Sequence, residues 1–214
     1  ISKLYFARNN PNIILEFKTK TKNIDYFLSI DLPPNILVCW SLNPQTIIKN
    51  EEHFTASLDQ RLNAARQLSS KGVLVGFHFH PIVHYETYEK DYTEIAETII
   101  SMFSPIEIGM VSMGTLTFIK PAIKSLRSLG IPSKVLQMPM ADAAGKFSYP
   151  LEIKENIFKT VWNAFAPWHN KVFFYFCMED KKLWQSVMGK CYTSNNEFEK
   201  DLFFSVSSKI TSQS

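Results

Sequence analysis

The chain has 214 residues, of which 45% are hydrophobic and 20% charged, which is typical of a globular protein and excludes an intrinsically disordered one. A net charge of +3 permits contact with phosphate but does not by itself indicate nucleic-acid binding. Cys39, Cys177 and Cys191 have no CxxC spacing, which predicts a reducing, cytoplasmic location without a disulfide framework. No apolar run has membrane-spanning length, so we expect no membrane partner.

The first residue and the last ten residues of the sequence lead to two expectations about how the chain is organised. The chain begins with Ile1 rather than Met, so we expect it to be a portion of a longer protein or a processed product. The last residues, SVSSKITSQS, have the composition of a polar, frayed end. We therefore expect a folded portion over residues 1–200 and a polar tail over 201–214.

Apolar runs predict strands that are buried on both faces, as in a parallel sheet. They lie at 13–17, 36–42, 73–79, 106–113, 134–138 and 171–178. Helical patterns lie between or after them, at 55–72, 88–103, 121–129, 151–165 and 181–188. In the first of these helices, Ser57 and Gln60 form a capping box and Gly72 suits the end. This alternation predicts an α/β fold, either an open parallel sheet or a partial barrel, because five or six strands are too few for a closed eight-stranded barrel.

The stretch GVLVGFHFHPIVHY at 72–85 raises the question of a metal site. His78 and His80 lie two apart at the end of a predicted strand, so their side chains point the same way. Together with His84 they could hold a metal ion in a hydrolase built on a barrel. The alternative is that the histidines line a cleft or hydrogen-bond to their neighbours.

Two further strand ends carry polar groups. In FKTKTKNID the lysines Lys18, Lys20 and Lys22 alternate, so at least one should project into the mouth of the sheet, where it could bind a carboxylate or phosphate. In CWSLNP, Ser41 and Asn43 present a hydroxyl and an amide on one face.

The series FKTKTKNID, WSLNPQTIIKNEEHFTASLDQRLNAARQL and GFHFHPIVHYETYEKDY resembles the spore photoproduct lyase family of radical S-adenosylmethionine enzymes. The resemblance continues through ISMFSPIEIGMVSMGTLTF and GKFSYPLEIKENIFKTVW to YFCMED, and it spans about residues 13–180. It implies a partial (β/α)6 TIM-like barrel of the radical S-adenosylmethionine type, here without its N-terminal strands. It also implies two cofactors, S-adenosylmethionine and a [4Fe–4S] cluster, and an electron donor that reduces the cluster.

The activity that the resemblance implies is that of a lyase that forms a 5′-deoxyadenosyl radical. The DNA-repair members of the family use this radical to split a thymine dimer, so DNA is an expected partner. By the same resemblance Lys20, Ser41 and His80 are expected to bind the small-molecule cofactor, with Asn43 on the same rim. The resemblance places Lys146 and Tyr149, in GKFSY, where the repair enzymes approach DNA.

One departure from the family is large. Radical enzymes of this type hold their cluster with CxxxCxxC, because three thiolates leave one iron open to the cofactor. Cys39, Cys177 and Cys191 cannot form that motif, so we expect the cluster ligands to lie outside this chain and the chain alone to be inactive. We expect no other metal ligands. Two alternatives stay open, namely the metal-dependent hydrolase with His78, His80 and His84 and a non-catalytic remnant that binds a partner.

Overall fold

The computed structural model describes residues 2–130, 133, 135, 138, 140–143 and 145–213. The strands among them are, in chain order, β1 (Leu15–Thr19), β2 (Ile36–Ser41), β3 (Leu74–Ile82), β4 (Ile108–Thr115), β5 (Thr117–Ile119), β6 (Ala141–Ala143), β7 (Lys146–Ser148) and β8 (Phe173–Phe176). The helices are α1 (Ser2–Asn9), α2 (Asp25–Ser29), α3 (Gln45–Glu51), α4 (Leu58–Ser70), α5 (Tyr88–Met102), α6 (Lys120–Ser128), α7 (Leu151–Ala164), α8 (Lys181–Met188) and α9 (Asn195–Gln213). Within this described part, no helix is both long and apolar enough to cross a membrane.

A five-stranded sheet in the order β1-β2-β3-β4-β8 organises the chain. Every neighbouring pair in it is parallel. Helices connect the successive strands, as a parallel sheet requires. The predicted α/β class is therefore confirmed, and the strands lie where five of the apolar runs predicted them. The sixth run, 134–138, includes residues 134, 136 and 137, which lie outside the described residues.

Helices cover one face of this sheet and form the main core. Trp40, Phe77, Phe79 and Val111 point to that side and are fully buried. The helix α4 begins as the sequence predicted, because Ser57 and Gln60 form both hydrogen bonds of a capping box. Burial of such large apolar side chains stabilises the fold by roughly 1.5–3 kcal/mol for each.

The C-terminal helix α9 lies on the opposite face, and we call this side of the sheet the α9 face. Val206 of α9 is fully buried there, in an apolar cluster with Leu37, Leu74, Met110 and Phe173. These contacts cover the part of the α9 face near the amino ends of the strands. Toward the carboxyl ends the same face carries polar side chains.

The predicted polar tail at 201–214 is wrong for residues 201–213, which continue α9. Val206 fixes the helix to the sheet, and Lys209 is 6% exposed. The Nζ atom of Lys209 donates hydrogen bonds to the carbonyl oxygens of Pro105 (2.9 Å) and Ile108 (2.5 Å), just before and at the start of β4. Val206 and Lys209 thus hold α9 against the sheet, although the serine-rich composition of this segment does not predict a packed helix.

A small antiparallel sheet in the order β5-β7-β6 lies in the chain between β4 and β8 of the main sheet. The sequence analysis did not predict it, because each of its strands has three residues and too little alternation to be recognised. It presents Lys146 on the surface and leads into Tyr149, which is 2% exposed.

Candidate functional site

A chain of hydrogen bonds crosses the polar part of the α9 face. Lys18 Nζ lies 3.2 Å from His80 Nδ1, and His80 Nε2 lies 3.0 Å from Ser112 Oγ. Ser112 Oγ lies 2.5 Å from His78 Nδ1, and His78 Nε2 lies 2.6 Å from Glu16 Oε1. An ammonium group donates and a carboxylate accepts, so the chain has one direction, from Lys18 to Glu16. Each histidine then accepts at Nδ1 and donates at Nε2.

Strand alternation explains why these residues meet. Glu16 and Lys18 lie two apart on β1, and His78 and His80 lie two apart on β3, so each pair shares a face. Ser112 lies directly opposite His78 in the register of β3 and β4. The sequence analysis missed Glu16 and Ser112. The signal for Glu16 was present, because EFKTK places a polar residue at every second position of β1.

The charge states follow from burial and from these contacts. Burial, the Lys18 charge and His78 lower the pKa of His80 to about 3. Burial also lowers the pKa of His78 and outweighs the carboxylate of Glu16. Burial would raise the pKa of Glu16, but the hydrogen bonds from His78 and Cys39 and the charge of Lys18 leave it lowered. Both histidines are therefore neutral and Glu16 is ionised at neutral pH.

A second polar network lies beyond the ends of β1 and β2, around Glu52. One carboxylate oxygen of Glu52 accepts from Lys20 Nζ (2.8 Å) and from Asn43 Nδ2 (2.7 Å), and the other accepts from Arg61 Nη2 (2.6 Å). Arg61 and Asn43 are fully buried. Tyr92 Oη donates to Asn43 Oδ1 at 2.8 Å, which satisfies the amide.

Arg61 links this network to the end of β2. Its Nη1 donates to the carbonyl oxygen of Ser41 at 2.8 Å, and its Nε donates to the carbonyl oxygen of Ala56 at 2.9 Å. The sequence analysis missed both Glu52 and Arg61. Charged residues near helix ends usually face solvent, so nothing in the pattern distinguished this pair.

The structure brings the predicted cofactor residues to one end of the sheet. Ser41 lies opposite His78 in the register of β2 and β3 and is 3% exposed. His80 contacts Lys18 rather than Lys20, whereas Lys20 pairs with Glu52 just after β1. Asn43 is enclosed by the Glu52 network.

The three histidines of the alternative hydrolase do not form a metal site among the described residues. His78 and His80 are neighbours, with ring centroids 5.1 Å apart. His84 lies apart from them, with its ring 4.8 Å from that of Tyr88 and its backbone N–H donating to Tyr149 Oη. In the described part of the chain, the group of potential ligands close enough for one ion is Glu16, Cys39 and His78. That alternative is therefore not supported.

The two residues predicted to approach DNA differ in access. Lys146 is exposed on β7. Tyr149 is buried, and burial raises its pKa to about 12. Its hydroxyl accepts a hydrogen bond from the backbone of His84 at 3.1 Å, so it braces the segment after β3.

The cysteines do not fit an iron–sulfur cluster. Cys39 is buried on β2, Cys177 is half-buried just after β8, and Cys191 is exposed after α8. Three strand spacings separate β2 from β8, which is roughly 14 Å across the sheet. A cluster needs its thiolates around one cube, so these three cannot hold it together.

Comparison with known proteins finds the same family by its family model and by individual relatives. A family model described as spore photoproduct lyase matches residues 2–148. The spore photoproduct lyase of Clostridium acetobutylicum is 28% identical over 147 residues, which are 68% of this chain and 42% of that protein. The one from Bacillus subtilis is 32% identical over 85 residues, which are 40% of this chain and 25% of that protein. The chain thus spans less than half the length of these relatives.

Solved structures resemble the chain in fold. A cysteine-to-alanine mutant of spore photoproduct lyase matches with a TM-score of 0.67 and 22% identity, over 77% of this chain and 51% of that one. A double mutant with bound AdoMet and dinucleoside spore photoproduct matches with a TM-score of 0.63 and 23% identity, over the same shares. At such identities the likeness shows a common α/β fold with a parallel sheet.

Proposed function

Because the chain belongs to the spore photoproduct lyase family, we propose that it is part of a DNA-lesion lyase that uses S-adenosylmethionine. In this proposal its five parallel strands belong to a partial (β/α)6 barrel of the radical S-adenosylmethionine type. The cofactor binds at the carboxyl ends of β1, β2 and β3, where ligands of parallel α/β proteins bind in general.

One observation carries the proposal. The family match covers residues 2–148, and within it Lys20, Ser41 and His80 lie at the carboxyl ends of three adjacent parallel strands. A cation, a hydroxyl and a neutral imidazole suit the carboxylate and amino groups of an amino-acid moiety. The spacing of three neighbouring strands, roughly 10 Å, suits a molecule of that size.

Each residue has a distinct role in this proposal. Lys20 binds the α-carboxylate, and Glu52 holds its ammonium group in place while the side chain stays 35% exposed. Ser41 donates from the next strand. His80 is neutral and its ring nitrogens are hydrogen-bonded to Lys18 and Ser112, so it contributes an uncharged ring surface rather than a charge. Asn43, which the sequence placed on the same rim, acts indirectly by fixing Glu52.

S-adenosylmethionine supplies the reactive group of this chemistry when it is bound beside a reduced [4Fe–4S] cluster. The cysteines of this chain do not fit that cluster, so we place its ligands outside the chain. Reduction of the cluster requires an electron donor as a partner.

Damaged DNA is the proposed substrate. A related solved structure carries dinucleoside spore photoproduct, and the net charge of +3 permits contact with a phosphate backbone. Lys146, exposed on β7, is the proposed phosphate contact. Tyr149, directly after β7, anchors that segment by accepting a hydrogen bond from the backbone of His84.

The test uses the protein encoded by the full open reading frame that contains this chain, purified without oxygen. We expect iron, sulfide and reductant-dependent release of 5′-deoxyadenosine, and repair of an oligonucleotide that contains spore photoproduct. Lys146→Ala should raise KM for the oligonucleotide and leave kcat unchanged, whereas Lys124→Ala, an exposed lysine on α6, should change neither. Release of 5′-deoxyadenosine without repair would overturn the substrate, and a protein that binds no cofactor would overturn the whole proposal.

A further inference from the structure

Three potential metal ligands converge on the α9 face from three adjacent strands. Glu16 of β1, Cys39 of β2 and His78 of β3 each offer one ligand atom, and these atoms all lie within 4.8 Å of one another. The proposed cofactor residues at the strand ends do not include them.

The backbone makes room for this group. Cys39 lies opposite Gly76 in the register of β2 and β3. A Cβ atom added at Gly76 would lie 2.6 Å from Cys39 Sγ, so any side chain there would displace the thiol. Glycine at this position lets the sulfur lie close to the sheet, next to His78 and Glu16.

The ligand types suit one class of ion. Cysteine, histidine and a carboxylate are the donors that zinc uses in proteins. When bound, a thiolate and a carboxylate carry two negative charges and neutral imidazole none, so a divalent ion would be neutralised. Because Cys39 is fully buried and His78 is 3% exposed, a site without net charge has a lower desolvation cost than a charged one.

The second nitrogen of the imidazole also has a fixed partner. His78 Nδ1 is hydrogen-bonded to Ser112 Oγ at 2.5 Å, which leaves Nε2 directed toward Glu16. Metal-binding histidines typically have such a partner on the opposite ring nitrogen, and it orients the ring. Ser112 is itself fully buried on β4.

We propose that Glu16, Cys39 and His78 bind one divalent transition-metal ion of the zinc type, with a fourth coordination position open to the α9 face. Tetrahedral metal–ligand distances of about 2.1 Å place a nitrogen and an oxygen ligand about 3.4 Å apart. His78 Nε2 and Glu16 Oε1, now 2.6 Å apart, therefore separate by about 0.8 Å when the ion enters. Glu16 lies on the exposed side and can make this movement.

The positive charge of Lys18 lowers the affinity of this site for a cation. The Lys18 ammonium group lies on the same face, hydrogen-bonded to His80 Nδ1. A metal on His78 Nε2 requires the proton on Nδ1, so Ser112 Oγ then accepts from both His78 Nδ1 and His80 Nε2, while Lys18 still donates to His80 Nδ1. The ammonium group of Lys18 therefore keeps its positive charge and repels the ion. Removing the Lys18 charge should therefore strengthen binding, whereas removing any ligand should weaken it.

The experiment titrates the purified 214-residue chain with Co²⁺, and then with Zn²⁺ in competition. We expect one Co²⁺ per chain with near-ultraviolet absorption from a thiolate–cobalt bond, displaced by Zn²⁺. Cys39→Ser should abolish this absorption, whereas Cys191→Ser, at an exposed cysteine, should leave it unchanged. Ser112→Ala should weaken binding about 10–100-fold.

Two further variants keep the test independent of folding. Glu16→Gln alters an exposed residue and should weaken Co²⁺ binding at least as much as Ser112→Ala, with an unchanged circular dichroism spectrum. Lys18→Met should tighten it. The proposal is overturned if the wild-type chain shows no thiolate–cobalt absorption, if the absorption survives in Cys39→Ser, or if Glu16→Gln binds Co²⁺ as tightly as the wild type.

Discussion

Replacing Arg61 by methionine should lower the free energy of unfolding by about 4 kcal/mol. Methionine retains the unbranched stem and the helix propensity of arginine, so the change isolates the guanidinium group. That group is fully buried and donates to Ser41, Glu52, Thr55 and Ala56.

The magnitude follows from the acceptors left behind. Three neutral acceptors lose a donor at about 1 kcal/mol each, and the Glu52 carboxylate loses a charged one at about 1.5–3 kcal/mol. Lys20 Nζ, 2.8 Å from Glu52, remains as a cation and keeps the cost from rising further. The sum of about 4.5–6 kcal/mol is an upper value, because Glu52 still pairs with Lys20, and the expected loss of about 4 kcal/mol lies within the roughly 3–5 kcal/mol for breaking a buried ion pair.

Urea denaturation at neutral pH measures this change as a lower midpoint at an unchanged m-value. Thermal unfolding should shift by about 8–16 °C, given about 2–4 °C for each kcal/mol in a chain of this size. Arg61→Lys should cost less, because it retains the charge but not the fork. Gln67→Ala, on the exposed side of the same helix, is the control and should be near neutral. A decrease of less than about 1 kcal/mol in the free energy of unfolding of Arg61→Met would refute the stabilising role of the Arg61 hydrogen bonds.

Further expectations concern α9, Glu107 and Tyr92. Val206→Asp should undock α9 and speed its cleavage by trypsin, whereas Phe204→Asp, at a residue that is 73% exposed, should not; equal cleavage would contradict the packing. Burial would raise the pKa of Glu107, but Arg66 and the other donors lower it to about 2 from 4.5. Its carboxylate therefore adds stability above pH 4.5 that is lost as the pH falls toward 2, and Glu107→Gln should remove about 1–3 kcal/mol of that dependence in urea titrations. Tyr92→Phe should lower the free energy of unfolding by about 1–3 kcal/mol in urea denaturation, because a buried hydroxyl with two hydrogen bonds is lost. An unchanged free energy of unfolding would contradict a stabilising role of these hydrogen bonds.

Local patterns predicted the main sheet well. Apolar runs located β2, β3 and β4 because both faces of a central parallel strand are buried, and the Ser57 capping box located the start of α4. The C-terminal helix escaped prediction, because its serine-rich sequence docks through Val206 and Lys209 rather than through a continuous apolar stripe.

The candidate site was predicted in part. Apolar runs placed Lys20, Ser41 and His80 at the ends of strands, whereas their role toward the cofactor was implied by the family resemblance and stays a prediction. The Glu16–His78 contact joins residues 62 positions apart, and no local pattern specifies such a pair. The burial of Arg61 likewise depends on where α3 and β2 pack, which is a property of the tertiary fold.

The most direct test of the proposed cofactor site is equilibrium binding of S-adenosylmethionine to the protein encoded by the full reading frame that contains this chain. Lys20→Ala removes a charge-assisted hydrogen bond and should weaken binding about 10–100-fold. Lys22→Ala, two residues further along and exposed, should bind within about twofold of the wild type. Equal affinity of the Lys20→Ala variant and the wild type, or equal losses in both variants, would contradict a cofactor site at the ends of β1, β2 and β3.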